Sequence, residues 1–306
     1  MKQGFVKVAS ATPRIRVADP VYNAQVICEQ AKEAAEHGAK IVVFPELCIT
    51  GYTCNDLFLQ ELLLEKAKEA LLTIAEETGQ LETLFLVGLP VDKDGRLYNV
   101  AAVLYRGRIL GMIPKKNIPM YAEFYEGRHF TPGEETVTEY RLGKQVIPFG
   151  SNLLFRCEEL PELILGCELC EDLWVAEPPS TSHALMGATV IANLSASNET
   201  VSKDDYRTLL IKASSARLLC GYIYTSAGEG ESTQDLVFGG HDLIAENGTL
   251  LVQSARFTTG ILYTDLDVLK ISSERRRMGT FGKRPMKPYL TVPFSMQLTG
   301  TKLDRK

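Results

Sequence analysis

The sequence predicts an α/β protein with mixed (α+β) sheets, a sandwich in which helices cover sheets of both parallel and antiparallel strands. Three observations predict it. Short apolar runs such as "IVVFP" (41–45) and "ATVIANLSAS" (188–197) read as strands buried on both faces. Amphipathic helices separate several of these runs, as β-α-β units require. Elsewhere, turns at Arg106-Gly107 and Asn247-Gly248 join strands directly into antiparallel hairpins.

The elements follow in order. "GFVKVASAT" (4–12) alternates apolar and polar side chains, as a strand does. In 19–40, Ala24, Ile27, Cys28, Ala31, Ala34 and Ala35 fall on one helical face, and Gly38 supplies the stop. A second helix near 59–78 carries Leu63, Ala67, Ala70, Leu71 and Ile74 on its face. "LFLVGLP" (84–90) and the hairpin "NVAAVLYRGRILGMIPK" (99–115) are strands, and a long polar and aromatic stretch, 116–136, follows. Loops of that length in a compact domain are usually functional or mobile. "LILGCEL" (163–169) and 188–197 are strands, 203–221 is a helix, and "YIYTSAG" (222–228), 236–254 and 258–268 are strands, the middle one a hairpin. Beyond about residue 268 the chain is basic, contains proline and shows little periodicity, which reads as a tail or linker.

The totals narrow the function. A chain of 306 residues holds one large domain or two small ones. Net charge is −5, and the densest positive run, "SSERRRMGTFGKR" (272–284), reads as a solvated face. Nucleic acid is not an expected partner, because neutralising phosphates takes a broad basic surface. The seven cysteines are odd in number and spread along the chain, so a disulfide framework is not expected. No apolar run reaches the ~18 residues of a membrane helix, and no signal-peptide core opens the chain. The expectation is a reduced, cytoplasmic protein that does not enter a membrane.

Three segments share one shape, an apolar strand that stops at a reactive side chain. In "IVVFPELCITGY", Glu46 follows the strand and Pro45. A carboxylate leaving water there has its pKa raised toward that of a useful base, although it could equally cap a helix or pair with a cation. In "RILGMIPKKNIP", Lys115 follows strand and proline in the same way, and on its own it reads as a surface charge. In "LILGCELCEDLW", Cys167 belongs to the strand and Cys170 stands just past its end. Cys170 is open to three readings: a nucleophile, half of a CxxC pair with Cys167, or a packed core thiol. A metal pair needs further ligands, and the histidines at 37, 129, 183 and 241 are scattered. A thiol, a carboxylate and an ammonium at adjacent strand ends would suit acyl transfer from an amide, with the carboxylate shuttling protons.

"FPELCITGY", "PKKNIP" and "CEDLW" resemble the Glu, Lys and Cys motifs of the nitrilase, or carbon–nitrogen hydrolase, superfamily, in the same order. "YAEFYEGRHFTPG" (121–133), 170–198 and "GEGESTQDLVFGGHDLIAENG" (228–248) resemble more narrowly the glutaminase domains of glutamine-dependent NAD synthetases. The resemblance covers residues 4 to 270. It implies a four-layer αββα sandwich, pairing as a homo-oligomer through helical layers. It implies Cys170 as nucleophile, Glu46 as general base and Lys115 as oxyanion partner, helped by the N–H of Glu171. It also implies Glu123 as an auxiliary acid and Tyr121, Phe124, Glu171 and Ser197 as lining of a pocket for L-glutamine. One departure is Ser202, where a glycine is expected in this branch, and this bears on local loop geometry.

On this reading residues 1–270 form the amidohydrolase domain, and 271–306 lead toward a C-terminal NAD synthetase domain. No cofactor is expected in the first, while ATP and Mg²⁺ belong to the second. No "SGG" or GxxxxGK stretch occurs in this chain. The competing readings are an amidase acting on another small amide and a non-catalytic docking domain on the same scaffold.

Overall fold

The computed structural model describes residues 4–282, 288–297, 300 and 302–305. The strands are β1 (Phe5–Thr12), β2 (Ile41–Val43), β3 (Leu84–Lys93), β4 (Arg96–Tyr105), β5 (Arg108–Pro114), β6 (Thr138–Leu142), β7 (Gln145–Phe149) and β8 (Leu153–Cys157). They continue with β9 (Ile164–Leu169), β10 (Val190–Ser195), β11 (Gly221–Ser226), β12 (Leu243–Glu246), β13 (Thr249–Gln253), β14 (Gly260–Asp267) and β15 (Leu290–Phe294). The α-helices are α1 (Pro20–Glu36), α2 (Glu61–Glu77), α3 (Pro179–Leu185), α4 (Lys203–Leu218) and α5 (Val268–Arg277).

Two mixed sheets form, one of eight strands in the order β14-β1-β2-β3-β4-β5-β7-β6 and one of seven in the order β13-β12-β11-β10-β9-β8-β15. Alternation along each strand explains their packing, because successive side chains face opposite ways. Val6, Val8, Ile41 and Val43 of the first sheet meet Leu165, Cys167, Leu169 and Val190 of the second in a dry core between them. The other face of the first sheet is covered by Ala24, Ile27, Ala31, Ala67, Leu71 and Ile74 of α1 and α2. The other face of the second sheet meets Ala184 of α3 and Ile211 and Leu218 of α4. The result is the αββα sandwich, with helices outside and sheets inside.

The reading of the chain beyond residue 268 as a tail or linker needs correction. Val268–Arg277 is a helix whose only buried side chains are Val268 and Ile271, too few to show a period against its basic residues. Leu290–Phe294 pairs in parallel with β8 as the edge of the second sheet, where Pro293 is tolerated. Residues 283–287 of the basic run lie outside the described residues. Asp304 accepts from the Lys7 ammonium, and Arg305 clasps Glu246 with two hydrogen bonds of 2.8 and 2.9 Å. The stretch 236–254 is also only partly strand, because Leu236–Asp242 precedes β12 and touches Asn198 through one isolated bridge at Phe238.

Candidate active site

β2 and β5 of the first sheet, and β9 and β10 of the second, all end at one rim of the sandwich. The Glu46 N–H donates to the Ser195 carbonyl across the sheets at 3.3 Å. Gly88 makes the turn after β2 possible, since a Cβ there would stand 2.2 Å from the Leu47 nitrogen and 2.7 Å from the Pro45 carbonyl oxygen. Lys115 is pinned at the end of β5, its N–H donating to the Asn99 carbonyl at 2.8 Å and its carbonyl accepting from Gly133 at 2.7 Å. Cys170 takes a left-handed conformation, φ 40°, where β9 turns into a short 3₁₀ segment. Such a conformation costs a non-glycine residue about 1–2 kcal/mol, and strain of this kind gathers at functional sites.

These turns bring the three reactive side chains together. The Lys115 ammonium, fully buried, donates to Glu46 Oε1 at 2.7 Å and to Glu126 Oε1 at 2.6 Å. Asn99 Nδ2 donates to the same Glu46 oxygen at 2.7 Å and, more weakly, to Glu126 Oε2 at 3.3 Å. The Tyr52 hydroxyl donates to Glu126 Oε1 at 2.8 Å. Glu46 Oε2 is buried without a hydrogen-bond partner, as is Asn99 Oδ1 beside it, so the network keeps open acceptors.

The electrostatics follow from burial. Burial pushes the Cys170 thiol up to about 12, the Glu46 charge raises it further, and the Lys115 ammonium offsets part of the rise. Burial raises Glu46 to about 7 against the opposing pull of Lys115. Burial works against the charge on Lys115, but Glu126 and Glu46 together hold it well above the ordinary lysine range. A thiol of this kind rests protonated. The site can make a thiolate only by handing the proton to a base at the moment of attack, and Glu46 is poised near neutrality for that exchange. The ammonium spends two of its three N–H donors on these carboxylates.

The other expected site residues divide. The Tyr121 hydroxyl donates to both oxygens of Glu171, at 2.9 and 3.0 Å, and its ring meets Phe124 edge-on at 5.8 Å. Lys203 stands 5.5 Å from the Phe124 ring and 5.1 Å from the Trp174 ring. Ser197 is buried, its Oγ accepting from Arg207 Nη2 at 3.3 Å. Glu123 is not the acid beside the cluster. It accepts from Asn198 Nδ2, while Glu126, three residues on at the start of a 3₁₀ turn, faces Lys115. Both acids lie in the aperiodic stretch 116–136, and nothing in the sequence tells one from the other. Asn99, Asn193 and Tyr52 escaped the sequence reading, yet a signal existed for the two amides, each interrupting an otherwise apolar strand. The "GEGES" turn contributes Glu231, buried, which accepts from the N–H groups of Tyr52 at 2.6 Å and Thr53 at 3.0 Å and so sets the Tyr52 turn. Ser202 adopts φ 63°, the left-handed region that favours glycine, so the backbone expected of a glycine is retained by a serine. Among the described residues no group of three or more His, Cys, Asp or Glu side chains is arranged to hold a metal ion.

The carbon–nitrogen hydrolase family profile matches residues 7–276. The chain belongs to the carbon–nitrogen hydrolase family. It is 43% identical over 282 residues to the glutamine-dependent NAD(+) synthetase of Mycobacterium tuberculosis, an alignment covering 92% of this chain and 42% of that protein. It superposes on the glutamine-dependent NAD(+) synthetase of Cytophaga hutchinsonii with a TM-score of 0.77 at 28% identity, covering 86% of this chain and 43% of the other. The fold is shared with an amidase from Nesterenkonia, at TM-score 0.68 and 21% identity over 91% of this chain and 96% of that one. The chain therefore spans less than half the length of the synthetases it resembles. No helix among the described residues is long and apolar enough to cross a membrane.

Proposed function

We propose that this chain hydrolyses the side-chain amide of L-glutamine to glutamate and ammonia, and that the ammonia feeds ATP-dependent NAD synthesis on a synthetase domain of the kind its relatives carry. The observation that carries the reading is the buried Glu46–Lys115 pair beside Cys170, with Glu46 Oε2 open. Cys170 Sγ attacks the carboxamide carbon while its proton passes to Glu46. The carbonyl oxygen becomes an oxyanion held by the third N–H of Lys115 and the backbone N–H of Glu171. Collapse breaks the C–N bond, and ammonia leaves with the proton from Glu46. Water then adds to the thioester, Glu46 taking its proton, and Cys170 leaves to release glutamate. Glu126 is the auxiliary acid that keeps Lys115 charged and in place.

Tyr121, Phe124, Glu171 and Ser197 line the substrate pocket on this reading, and Glu171 and Lys203 offer opposite charges to an amino-acid head group. This chain's own residues take no cofactor in these steps. ATP and Mg²⁺ would serve the synthetase domain, and pairing of two units through helical layers completes the assembly.

The test compares ammonia release from L-glutamine, L-asparagine and simple aliphatic amides by the native chain and by Cys170→Ala. The expected result is release from glutamine above all others, lost by at least ~10⁴-fold in C170A with the folded circular-dichroism spectrum retained. Release from other amides with none from glutamine would reject the substrate. Near-normal release by C170A would reject the nucleophile.

A further inference from the structure

Behind the nucleophile lies a chain of buried polar groups that the proposed steps do not use. Asn193 interrupts the apolar run of β10, and in the parallel register with β9 it stands opposite Glu168, two residues before Cys170. On its other side β11 places Tyr222 opposite Ile191. Glu168, Asn193 and Tyr222 are all buried, on the sheet face turned toward α3 and α4. The Cys170 N–H donates to Asn193 Oδ1 at 3.2 Å, and the Ser195 hydroxyl donates to the same oxygen at 2.7 Å. Asn193 Nδ2 donates to the Tyr222 hydroxyl oxygen at 3.1 Å. The Tyr222 hydroxyl donates in turn to Glu168 Oε1, and Glu168 Oε2 accepts from the Ser180 N–H at 2.8 Å.

The directions of the bonds at Asn193 are forced. A backbone N–H can only donate, so Asn193 must turn its oxygen to Cys170 and its NH₂ to Tyr222. Tyr222 then has to accept on its oxygen and send its own proton elsewhere, and a Glu168 carboxylate is there to take it. Without Tyr222 and Glu168 the amide could rotate by half a turn and face the Cys170 N–H with two hydrogens.

We infer that Asn193 is a positioning residue for the reaction. Held in one orientation by Tyr222 and Glu168, it engages the Cys170 N–H, fixes the left-handed turn at the nucleophile, and so leaves the next N–H, that of Glu171, to meet the oxyanion. This inference rests on the reading of Cys170 as the nucleophile. It adds three residues to the machinery, none of which touches substrate. A turn displaced by an ångström would misplace both the sulfur and the N–H donor, a change worth ~10²-fold in rate.

The experiment measures kcat and KM for ammonia release from glutamine, together with the rate of Cys170 alkylation by iodoacetamide read by mass spectrometry. It uses the native chain and the variants Asn193→Leu, Asn193→Asp and Tyr222→Phe. N193L removes the acceptor at nearly equal volume. Its kcat should fall ~10²-fold with KM within threefold, and alkylation should slow ~10-fold. N193D keeps an oxygen toward Cys170 whichever way the group turns, and it should recover at least ~10-fold of the lost kcat. Y222F keeps the packing and frees the amide to flip, and its kcat should fall ~10-fold with KM unchanged. Should N193L fail to fold, Y222F carries the test. Wild-type kcat and alkylation rate in N193L or Y222F, or a loss in N193D equal to that in N193L, would overturn the inference. If the native chain alkylates at Cys170 but leaves glutamine intact, the substrate reading fails, and the alkylation rates of the variants still decide the role of Asn193.

Discussion

Lys115, fully buried, and Arg275, half-buried, hold positive charge in the sandwich in different ways. At the rim, Lys115 faces two carboxylates, one of which keeps an oxygen without a partner. At the opposite end, the Arg275 guanidinium of α5 is spent on carbonyls. It donates to Leu219 at 2.9 Å, Ala188 at 2.6 Å and Leu218 at 3.0 Å, and more loosely to Ala184 and Gly187. The carbonyls of Ala184, Leu218 and Leu219 end α3 and α4, where the helix dipoles favour a cation, and Gly187 and Ala188 lie in the turn after α3. Burial lowers Arg275 to about 10, and among the described residues no carboxylate pairs with it. The Arg275 arrangement saturates its donors and ties elements together. The Lys115 arrangement keeps capacity in reserve. Backbone strain follows a similar division. Leu47, Cys170 and Ser202 are left-handed near the rim, whereas Arg106 and Asn247 are left-handed in hairpin turns that ask for it and Leu219 at a helix C-cap.

Lys115→Met is the strongest way to break this contrast. On the proposed mechanism it removes the oxyanion donor, so kcat for glutamine should fall ~10²–10³-fold in a steady-state ammonia assay. It also leaves Glu46 and Glu126 facing each other without a cation. Glu46, which burial already pushes up to about 7, responds by binding a proton, so the stability cost should be larger at pH 8 than at pH 5, as chemical denaturation at the two pH values would show. Loss of stability with activity intact would make Lys115 a structural cation like Arg275.

Arg275→Ala tests the other side. It strands helix-end carbonyls, each such group costing about 1–3 kcal/mol when buried and unpaired, and partial access to water brings the expected loss to about 3 kcal/mol by denaturant unfolding. The kcat should stay within about twofold, because the guanidinium lies at the far end of β9 and β10 from Cys170. A large fall in kcat with stability unchanged would erase the distinction between the two ends.

How much of this contrast was legible in the sequence depended on periodicity. The rim was legible because Glu46, Lys115 and Cys170 each follow an apolar strand, and such strands announce themselves by length and burial. The helices α1 and α2 were legible through their apolar faces, and α4 was read as a helix over 203–221. The far end was not, because α5 buries only Val268 and Ile271, and β15 is an edge strand with a proline. The short strands β6, β7 and β8, within 138–157, escaped for a related reason, with exposed positions and Pro148 breaking the pattern. The choice of Glu123 over Glu126 failed because only the path of an aperiodic loop separates them. Asn99 and Asn193 were readable as polar residues in apolar strands, but their partners come from other strands and no spacing reveals them.

The open capacity at the rim also predicts a pH dependence. On the proposed mechanism Glu46 accepts the thiol proton, which it can do only when unprotonated, and burial has raised it to about 7. The kcat/KM should therefore climb about tenfold per pH unit below 7 and level off above it. The raised value also means that the folded chain holds this proton where an unfolded one would release it. Glu46 therefore favours the fold at low pH and loses that contribution as pH rises through 7. A pH profile flat from 5 to 8 would remove Glu46 from the proton transfer.

The smallest expected effect concerns α4, which joins the two regions: it starts after Ser202, beside the residues proposed to line the pocket, and ends under Arg275. A left-handed serine costs about 1–2 kcal/mol, and glycine relieves that while adding freedom to the unfolded chain, so Ser202→Gly should stabilise by about 0.5–1 kcal/mol. In a chain of this length that raises the melting temperature by about 1–3 °C. The next residue, Lys203, donates to Asn198 and lies over Phe124, so the loop conformation at 202 reaches a residue proposed to line the pocket. If the strain merely accompanies the loop, S202G keeps the KM for glutamine while melting higher. If the serine holds Lys203 in place by limiting the turn, KM rises as stability rises. That second outcome would extend the rim's character, stability given up for geometry, from the nucleophile to the pocket.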